Sequence, residues 1–277
     1  MVDIFAQINE YREKGLDLVL VTVTEKEGMS PADVGKKMLV TEIGHSFGTV
    51  GGGSLEFYAI EKAKKLIKER KSLTEKYILN DKEVFAEEDA VKLNMACGGK
   101  VTLFYEYIGP KQYVYIFGAG HCGEALAKIL KPLGFYVTLI DNRSEVIEKV
   151  EQYANTCNCL DFTRFVDEGG LKENSFVVVC TPSHEHDFDV LDKIIEKNIH
   201  LAYFGMLCSK KKIADYLNLV KNKYGDVELK NFYSPIGLNI GGNSPEEIAI
   251  SISSEILSVY YGKSKINAHL SDPGAVK

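Results

Sequence analysis

The chain has 277 residues, 45% of them hydrophobic and 26% charged, with a formal net charge of −6. That is the balance of a soluble globular protein long enough for two cores, and its acidity excludes the broad basic footprint of a nucleic-acid binder. No apolar run approaches the ~20 residues of a membrane span, and cysteines scattered at 97, 122, 157, 159, 180 and 208 suggest no small disulfide framework, so a reducing cytoplasm is expected.

The opening stretch MVDIFAQINEYREKG reads as an amphipathic helix; it lacks the basic start and apolar core of a signal peptide. Leu16–Thr24 reads as a strand, followed by a loop holding Gly28-Met29-Ser30-Pro31. Lys37–Val40 and Ser46–Val50 form a hairpin pattern across Glu42–His45. Gly51, Gly52 and Gly53 then precede a helix running to about Arg70, with Ser54 as N-cap and Leu55, Tyr58, Ala59, Ala63, Leu66 and Ile67 as its apolar face. Three glycines in a row are costly in backbone entropy. Their use is either to aim several N–H groups at an anion or simply to turn. Glu56, in the first helical turn, either caps the helix or accepts hydrogen bonds from a pterin- or guanine-like edge.

Lys71–Leu93 is charged and weakly periodic, with a strand at Thr74–Leu79 and a polar connection after it. Cys97 stands beside Gly98 and Gly99, which keep the backbone open to a ligand; the thiol suits a nucleophile, a sulfur carrier or a soft-metal contact, or is a buried cysteine ahead of the strand Val101–Tyr107. Ile108–Gln112, with its Gly-Pro, is the linker candidate.

Beyond it, the apolar run Tyr113–Phe117 enters Gly118-Ala119-Gly120-His121-Cys122-Gly123, then a helical repeat stopped by Gly134, a strand Phe135–Ile140 and Asp141. This is G-x-G-x-x-G in the context of strand, turn, helix, strand and acid. Gly118 permits the turn, Gly120 admits a pyrophosphate and Gly123 lets helix and strand close up. Asp141 would accept from a ribose diol, as in NAD(P) sites. Ser144–Ala154 reads as a helix, Thr156–Leu160 as a buried third strand carrying Cys157 and Cys159, and Phe176–Thr181 as a fourth strand in which Cys180 is a core residue. His184, His186 and Asp187 follow, as a turn and helix cap ahead of a helix at Asp187–Glu196 rather than a metal site. His200–Met206 is a fifth strand; Lys210, Lys211 and Lys212 open the next helix, as a solvated face or toward an anion. Ser244-Pro245-Glu246-Glu247 is a capping box for a last helix that Gly262 ends.

Several segments together carry a resemblance. They are Gly28-x-Ser30-Pro31, Gly35-x-x-Met38-Leu39-Val40, Gly48-Thr49-Val50-Gly51-Gly52-Gly53-x-Leu55-Glu56 and Cys97-Gly98-Gly99. Further on stand Phe117-Gly118-Ala119-Gly120-His121, Asp141-x-Arg143, Ser209-x-x-Lys212, Pro235-Ile236-Gly237-Leu238 and Pro245-Glu246-Glu247-Ile248-Ala249. In kind and order these resemble the XdhC family of xanthine dehydrogenase accessory proteins, related to those of carbon monoxide dehydrogenase. Ala32 stands where relatives often have arginine, Ser54 where they often have Cys or Ala, and lysines where arginines are common.

The resemblance implies a smaller N-terminal mixed α/β domain (residues 1–108), a C-terminal Rossmann-like domain with a doubly wound parallel sheet (113–262) and a tail (263–277). It further implies a cytoplasmic maturation chaperone rather than a turnover enzyme. Such a protein binds molybdenum cofactor (molybdopterin), assists its sulfuration with a cysteine desulfurase as donor, and delivers it to a molybdenum hydroxylase apoenzyme, working as a homodimer. Cys97 would be the sulfur or metal contact, and Gly51, Gly52, Gly53, Glu56, Gly98, Gly99, Gly118, Gly120, Gly123, Asp141 and Arg143 would bind cofactor. The alternative is an NAD(P)-dependent oxidoreductase or a nucleotide sensor built on the same Rossmann turn.

Overall fold

The computed structural model describes residues 3–79, 90–95, 98–225, 227 and 229–263, and divides the chain into two units, Met1–Pro110 and Lys111–Lys277. In chain order the first unit contains α1 (Ile4–Glu13), β1 (Leu18–Glu27), β2 (Lys37–Thr41), β3 (Ser46–Gly48), α2 (Gly53–Glu69), β4 (Leu73–Leu79), β5 (Ala90–Leu93) and β6 (Gly99–Ile108). Its sheet runs β3-β2-β1-β6-β4-β5, antiparallel throughout except where β4 meets β5.

Alternation along β1 decides what covers each face. Val19, Val21 and Val23 turn to one side, where α2 lays down Leu55, Ala59, Ala63, Leu66 and Ile67. Leu18 and Leu20 turn to the other, where they meet Ile8 of α1 and Leu39. The buried stripe of α2 follows the i, i+4 row, so Tyr58, expected on that face, falls beside it and is 48% exposed. The helix also starts earlier than expected. Gly52 is its N-cap with no side-chain cap, and Ser54 lies inside the helix. The strand β5 falls where the sequence suggests a polar connection; four residues pairing in parallel with β4 leave almost no periodic signal.

The second unit contains β7 (Tyr113–Phe117), α3 (His121–Leu130), β8 (Tyr136–Asp141), α4 (Ser144–Val150), β9 (Thr156–Cys159), α5 (Phe162–Asp167), β10 (Phe176–Val179), α6 (His184–Glu196), β11 (Tyr203–Met206), α7 (Lys210–Tyr224), β12 (Phe232–Tyr233) and α8 (Pro245–Tyr260). The sheet order is β12-β11-β10-β7-β8-β9, and every pairing is parallel. Strand residues alternate between two cores. Val114, Ile116, Val137 and Leu139 pack under α3, α4 and α8, whereas Tyr115, Phe117, Val177 and Val179 pack against α5, α6 and α7. This is the doubly wound arrangement, with the chain's α/β character complete in both units.

Two expectations shift here, and two short elements are new. The third strand is an edge, so Cys157 is only half-buried and Cys159 is exposed. The helix α6 begins at His184 rather than Asp187, because Ser183 caps it by accepting from the His186 N–H. The two-residue β12 and the short α5 are too brief to leave a periodic signal in the sequence. The capping box of α8 forms as expected, with Ser244 and Glu247 bonding reciprocally behind Pro245. Among the described residues no helix is long and apolar enough to cross a membrane.

Candidate functional site

In the first unit, close packing brings three separate motifs together. Gly51, Gly52 and Gly53 have φ of 132°, 82° and 63°, the left-handed side that other residues resist. A Cβ on Gly51 would stand 3.0 Å from the Ala32 amide nitrogen, so the triglycine loop rests on the Ser30-Pro31-Ala32 turn, where the Ser30 hydroxyl accepts from the Ala32 N–H at 3.1 Å. Ala32 is fully buried at this contact, which gives its small side chain a packing reason. A Cβ on Gly99 would overlap the Met29 carbonyl oxygen, so the Gly98-Gly99 segment packs on the same turn from another side. A Cβ on Gly53 would be 3.6 Å from the Met95 methyl. Met29 itself is 81% exposed at the tip of that turn. Cys97 lies outside the described residues.

The loop amides are partly committed. Glu56 Oε1 accepts from the Gly52 N–H at 2.9 Å, from the Val50 N–H at 3.1 Å and from the Thr49 hydroxyl. Thr49 Oγ1 in turn accepts from the Gly51 N–H at 3.1 Å. Glu56 thus holds the loop's shape, the capping alternative among its two sequence readings. The first amides of α2, a 17-residue helix, belong to Gly53 and Ser54, both exposed.

In the second unit the glycine turn has the expected mechanics. Gly118 has φ 104°, and a Cβ there would strike the Cys180 carbonyl oxygen. A Cβ on Gly123 would overlap the Gly118 oxygen, the close helix–strand approach the motif requires. Gly120 caps α3 and faces open space, with nothing within 4 Å of its missing Cβ.

Asp141 serves the interior. It is 0% exposed, and Arg143 forks onto it with Nε to Oδ1 and Nη2 to Oδ2, both at 2.8 Å. The Ala119 N–H donates to Oδ2 at 2.8 Å and the Arg143 N–H to Oδ1 at 3.1 Å. Burial pushes the Asp141 carboxyl up, but the Arg143 fork and these amides outweigh it and hold it below its ordinary value. The same pair raises the guanidinium. A ribose diol would have to displace Arg143 to reach this carboxylate.

The carboxyl edge of the sheet holds groups that sequence reasoning undervalues. Asp187, 2% exposed, accepts from the Thr181 N–H at 3.0 Å and hydroxyl at 2.6 Å, and its other oxygen faces His184 Nδ1 at 3.3 Å. Burial pushes its carboxyl up against the pull of those bonds. The His186 ring packs at a tilt against Phe162, with centroids 5.4 Å apart and planes 56° apart. Cys122 lies in the first turn of α3, and Cys180, just beyond β10, donates its thiol to the Gly118 oxygen at 3.5 Å. The neighbouring Cys180 thiol holds Cys122 below its ordinary value despite burial, while Cys122 and burial push Cys180 up. Periodicity can mark Cys180 only as a strand residue; the crossover that sets it against Gly118 has no local signal. Among the described residues no group of three or more His, Cys, Asp or Glu stands together to hold a metal.

Comparison with known proteins follows the same division. A family model described as the XdhC Rossmann domain matches residues 114–256, and one described as the XdhC and CoxI family matches residues 11–77. The uncharacterized protein YqeB of Escherichia coli K12 is 28% identical over 261 residues, 93% of this chain and 46% of that protein. A protein of Bacillus subtilis 168, described as a probable xanthine dehydrogenase subunit, is 30% identical over 161 residues, 56% of this chain and 45% of that protein. The chain therefore spans less than half the length of either relative. A crystal structure described as a xanthine dehydrogenase from Bacillus halodurans superposes with a TM-score of 0.50 at 21% identity, covering 98% of both chains, a likeness of fold.

Proposed function

The chain belongs to the XdhC family, and from that premise we propose that it is a maturation factor for a xanthine dehydrogenase-type molybdenum hydroxylase. In this reading it binds molybdenum cofactor, assists its sulfuration with sulfur from a cysteine desulfurase, and delivers it to the apoenzyme as a homodimer in the cytoplasm. The observation that carries the reading is that family matches fall on both halves of the chain, residues 11–77 and 114–256. The similarity to a probable xanthine dehydrogenase component supports the choice of client.

The residues of the first unit fit such a group. Gly52 and Gly98 face open space, with no atom within 4 Å of a Cβ at either. The Gly53 and Ser54 amides at the head of α2 would hold its terminal phosphate. Gly51 and Gly99 keep the loops closed on the Met29–Ala32 turn, and Glu56 keeps the triglycine loop in shape while Oε2 would accept from a pterin N–H. When bound, the cofactor supplies a soft metal held by a dithiolene. Cys97 is our candidate for the thiol that meets that chemistry. Gly118, Gly120 and Gly123 form a second phosphate-binding turn, with Asp141 and Arg143 as its internal brace.

The test is anaerobic equilibrium binding of molybdenum cofactor and of NAD(H), each alone. Tight cofactor binding with weak NAD(H) binding is expected. Tight NAD(H) binding alone would overturn the reading in favour of a nicotinamide-dependent oxidoreductase. Cys97→Ala should lose maturation of the hydroxylase in a reconstituted assay while its thermal melt stays unchanged; normal maturation would remove the thiol from the mechanism.

A further inference from the structure

Asp141 ends β8 beside the Gly118–Gly123 turn, and each of its oxygens is already taken. Oδ1 accepts from the Arg143 amide at 3.1 Å and from Arg143 Nε at 2.8 Å. Oδ2 accepts from the Ala119 amide and from Arg143 Nη2, both at 2.8 Å. The residue is 0% exposed. In a dinucleotide site of this shape a ribose diol donates to the acid at this place. Here the group that covers the acid is a guanidinium, which has donors and no acceptor.

The fork fixes that guanidinium. Bonds from Nε and Nη2 set both its plane and the edge it turns to Asp141. Because Arg143 Nη2 and the Ala119 amide share Oδ2, the guanidinium is no farther from that amide of the glycine turn than those two bonds laid end to end. Its planar geometry leaves the Nη1 amino group and the second Nη2 hydrogen pointing away from Asp141. Neither has a partner among the described residues, and the side chain is 37% exposed. The next acid along the chain, Glu145, is exposed and makes no ion pair with Arg143 among the described residues. Gly120, with nothing within 4 Å of its missing Cβ, leaves the turn open in front.

We propose that the outward edge of Arg143 receives a phosphomonoester, so that the second unit selects ligands phosphorylated at this position over ligands with a free diol. Complementarity of donors and acceptors selects the class. A diol brings donors to a donor. Its phosphate ester brings acceptor oxygens and a negative charge to a fixed cation. A guanidinium already pinned along one edge loses little further freedom on meeting it. The proposal rests on the reading of Gly118–Gly123 as a phosphate-binding turn, and not on which phosphorylated compound binds there. The same chemistry has two sources, the phosphorylated ribose of NADP(H) and the terminal phosphate of molybdenum cofactor.

The experiment titrates the full chain calorimetrically with NADP+, with NAD+ and, under anaerobic conditions, with molybdenum cofactor. Wild type, Arg143→Leu and Arg143→Lys are compared. If the phosphate is a nucleotide's, wild type binds NADP+ at least about tenfold more tightly than NAD+. Arg143→Leu, which uncovers Asp141, then loses or inverts that preference. If the phosphate is the cofactor's, neither dinucleotide binds and Arg143→Leu weakens cofactor binding at least about tenfold. In both cases Arg143→Lys, a cation without the planar edge, falls between. Equal wild-type affinity for measurably bound NAD+ and NADP+ would overturn the proposal, and so would an Arg143→Leu variant that keeps the wild-type preference and all three affinities. A purely structural role for Arg143 lowers the melting temperature without moving the NADP+ to NAD+ ratio. Should Arg143→Leu fail to fold by circular dichroism, the wild-type ratio and Arg143→Lys decide. Loss of wild-type cofactor binding with the NADP+ preference intact would sink the maturation reading and leave this one standing.

Discussion

In the first unit the loop ahead of α2 gives the N–H groups of Val50 and Gly52 to Glu56; in the second, the turn after β7 gives that of Ala119 to Asp141, which also takes the Arg143 N–H. Each glycine-rich loop is therefore tied to a carboxylate of its own chain. The two carboxylates differ in surroundings. Asp141 is 0% exposed and carries the Arg143 fork, whereas Glu56 is partly exposed and pairs with no lysine or arginine among the described residues. A buried anion needs a fixed counter-charge because water is gone; an anion at the surface keeps water as its partner. The lesson is that an acid near a glycine turn does not announce a ligand contact. It can be the clamp that shapes the turn.

The comparison breaks first at Gly123. A Cβ there would overlap a backbone oxygen that has nowhere to move, so Gly123→Ala should cost about 3 kcal/mol or more in urea unfolding of the second unit, against a small effect if the helix can slide. Arg143→Ala comes next, at about 2 kcal/mol, below the usual cost of breaking a buried pair because the arginine side chain is 37% exposed. Its signature is in the pH dependence. The wild-type Asp141 carboxyl is held below its ordinary value, so its contribution is present above the normal carboxylate range and fades as pH falls through the lowered value. Without the fork, burial raises that value, and the variant should begin to lose stability at a higher pH than wild type.

Glu56→Ala should cost about 1–2 kcal/mol, since it frees two loop amides from their acceptor. Glu56→Gln keeps an acceptor oxygen and should lose less than half as much; equal losses would mean that charge, not capping, matters. The smallest effect sharpens the contrast with Gly123. Gly52→Ala meets only backbone strain at φ 82°, with open space around the new methyl, and should cost about 1 kcal/mol in thermal unfolding.

The second unit is largely legible in the sequence because its strands alternate with helices and its turn chemistry is local. Tyr113–Phe117 and the Gly118–Gly123 turn can be read residue by residue. The first unit is less so, because its sheet order β3-β2-β1-β6-β4-β5 depends on pairings far apart in sequence, such as Val21 with Tyr105. The site shows the same limit. That Gly51 rests on Ala32 and Gly99 on Met29 is a product of tertiary packing, and so is the approach of Cys180 to Gly118. The surroundings of Asp141 are hidden for a related reason: the motif specifies an acid at that place, but only the fold shows Arg143 folding back over it.

The parallel sheet ends in β12 on one side and β9 on the other. With two residues, β12 offers a second molecule almost no ladder on which to add a strand, a brevity that guards against edge-to-edge aggregation. The opposite border is four residues long and carries the exposed Cys159. Two molecules aligning there in air could become covalently locked, turning a transient collision into a permanent adduct. Storage behaviour of the purified protein would then be governed by that one border, and Cys159→Ser would be the change that protects it.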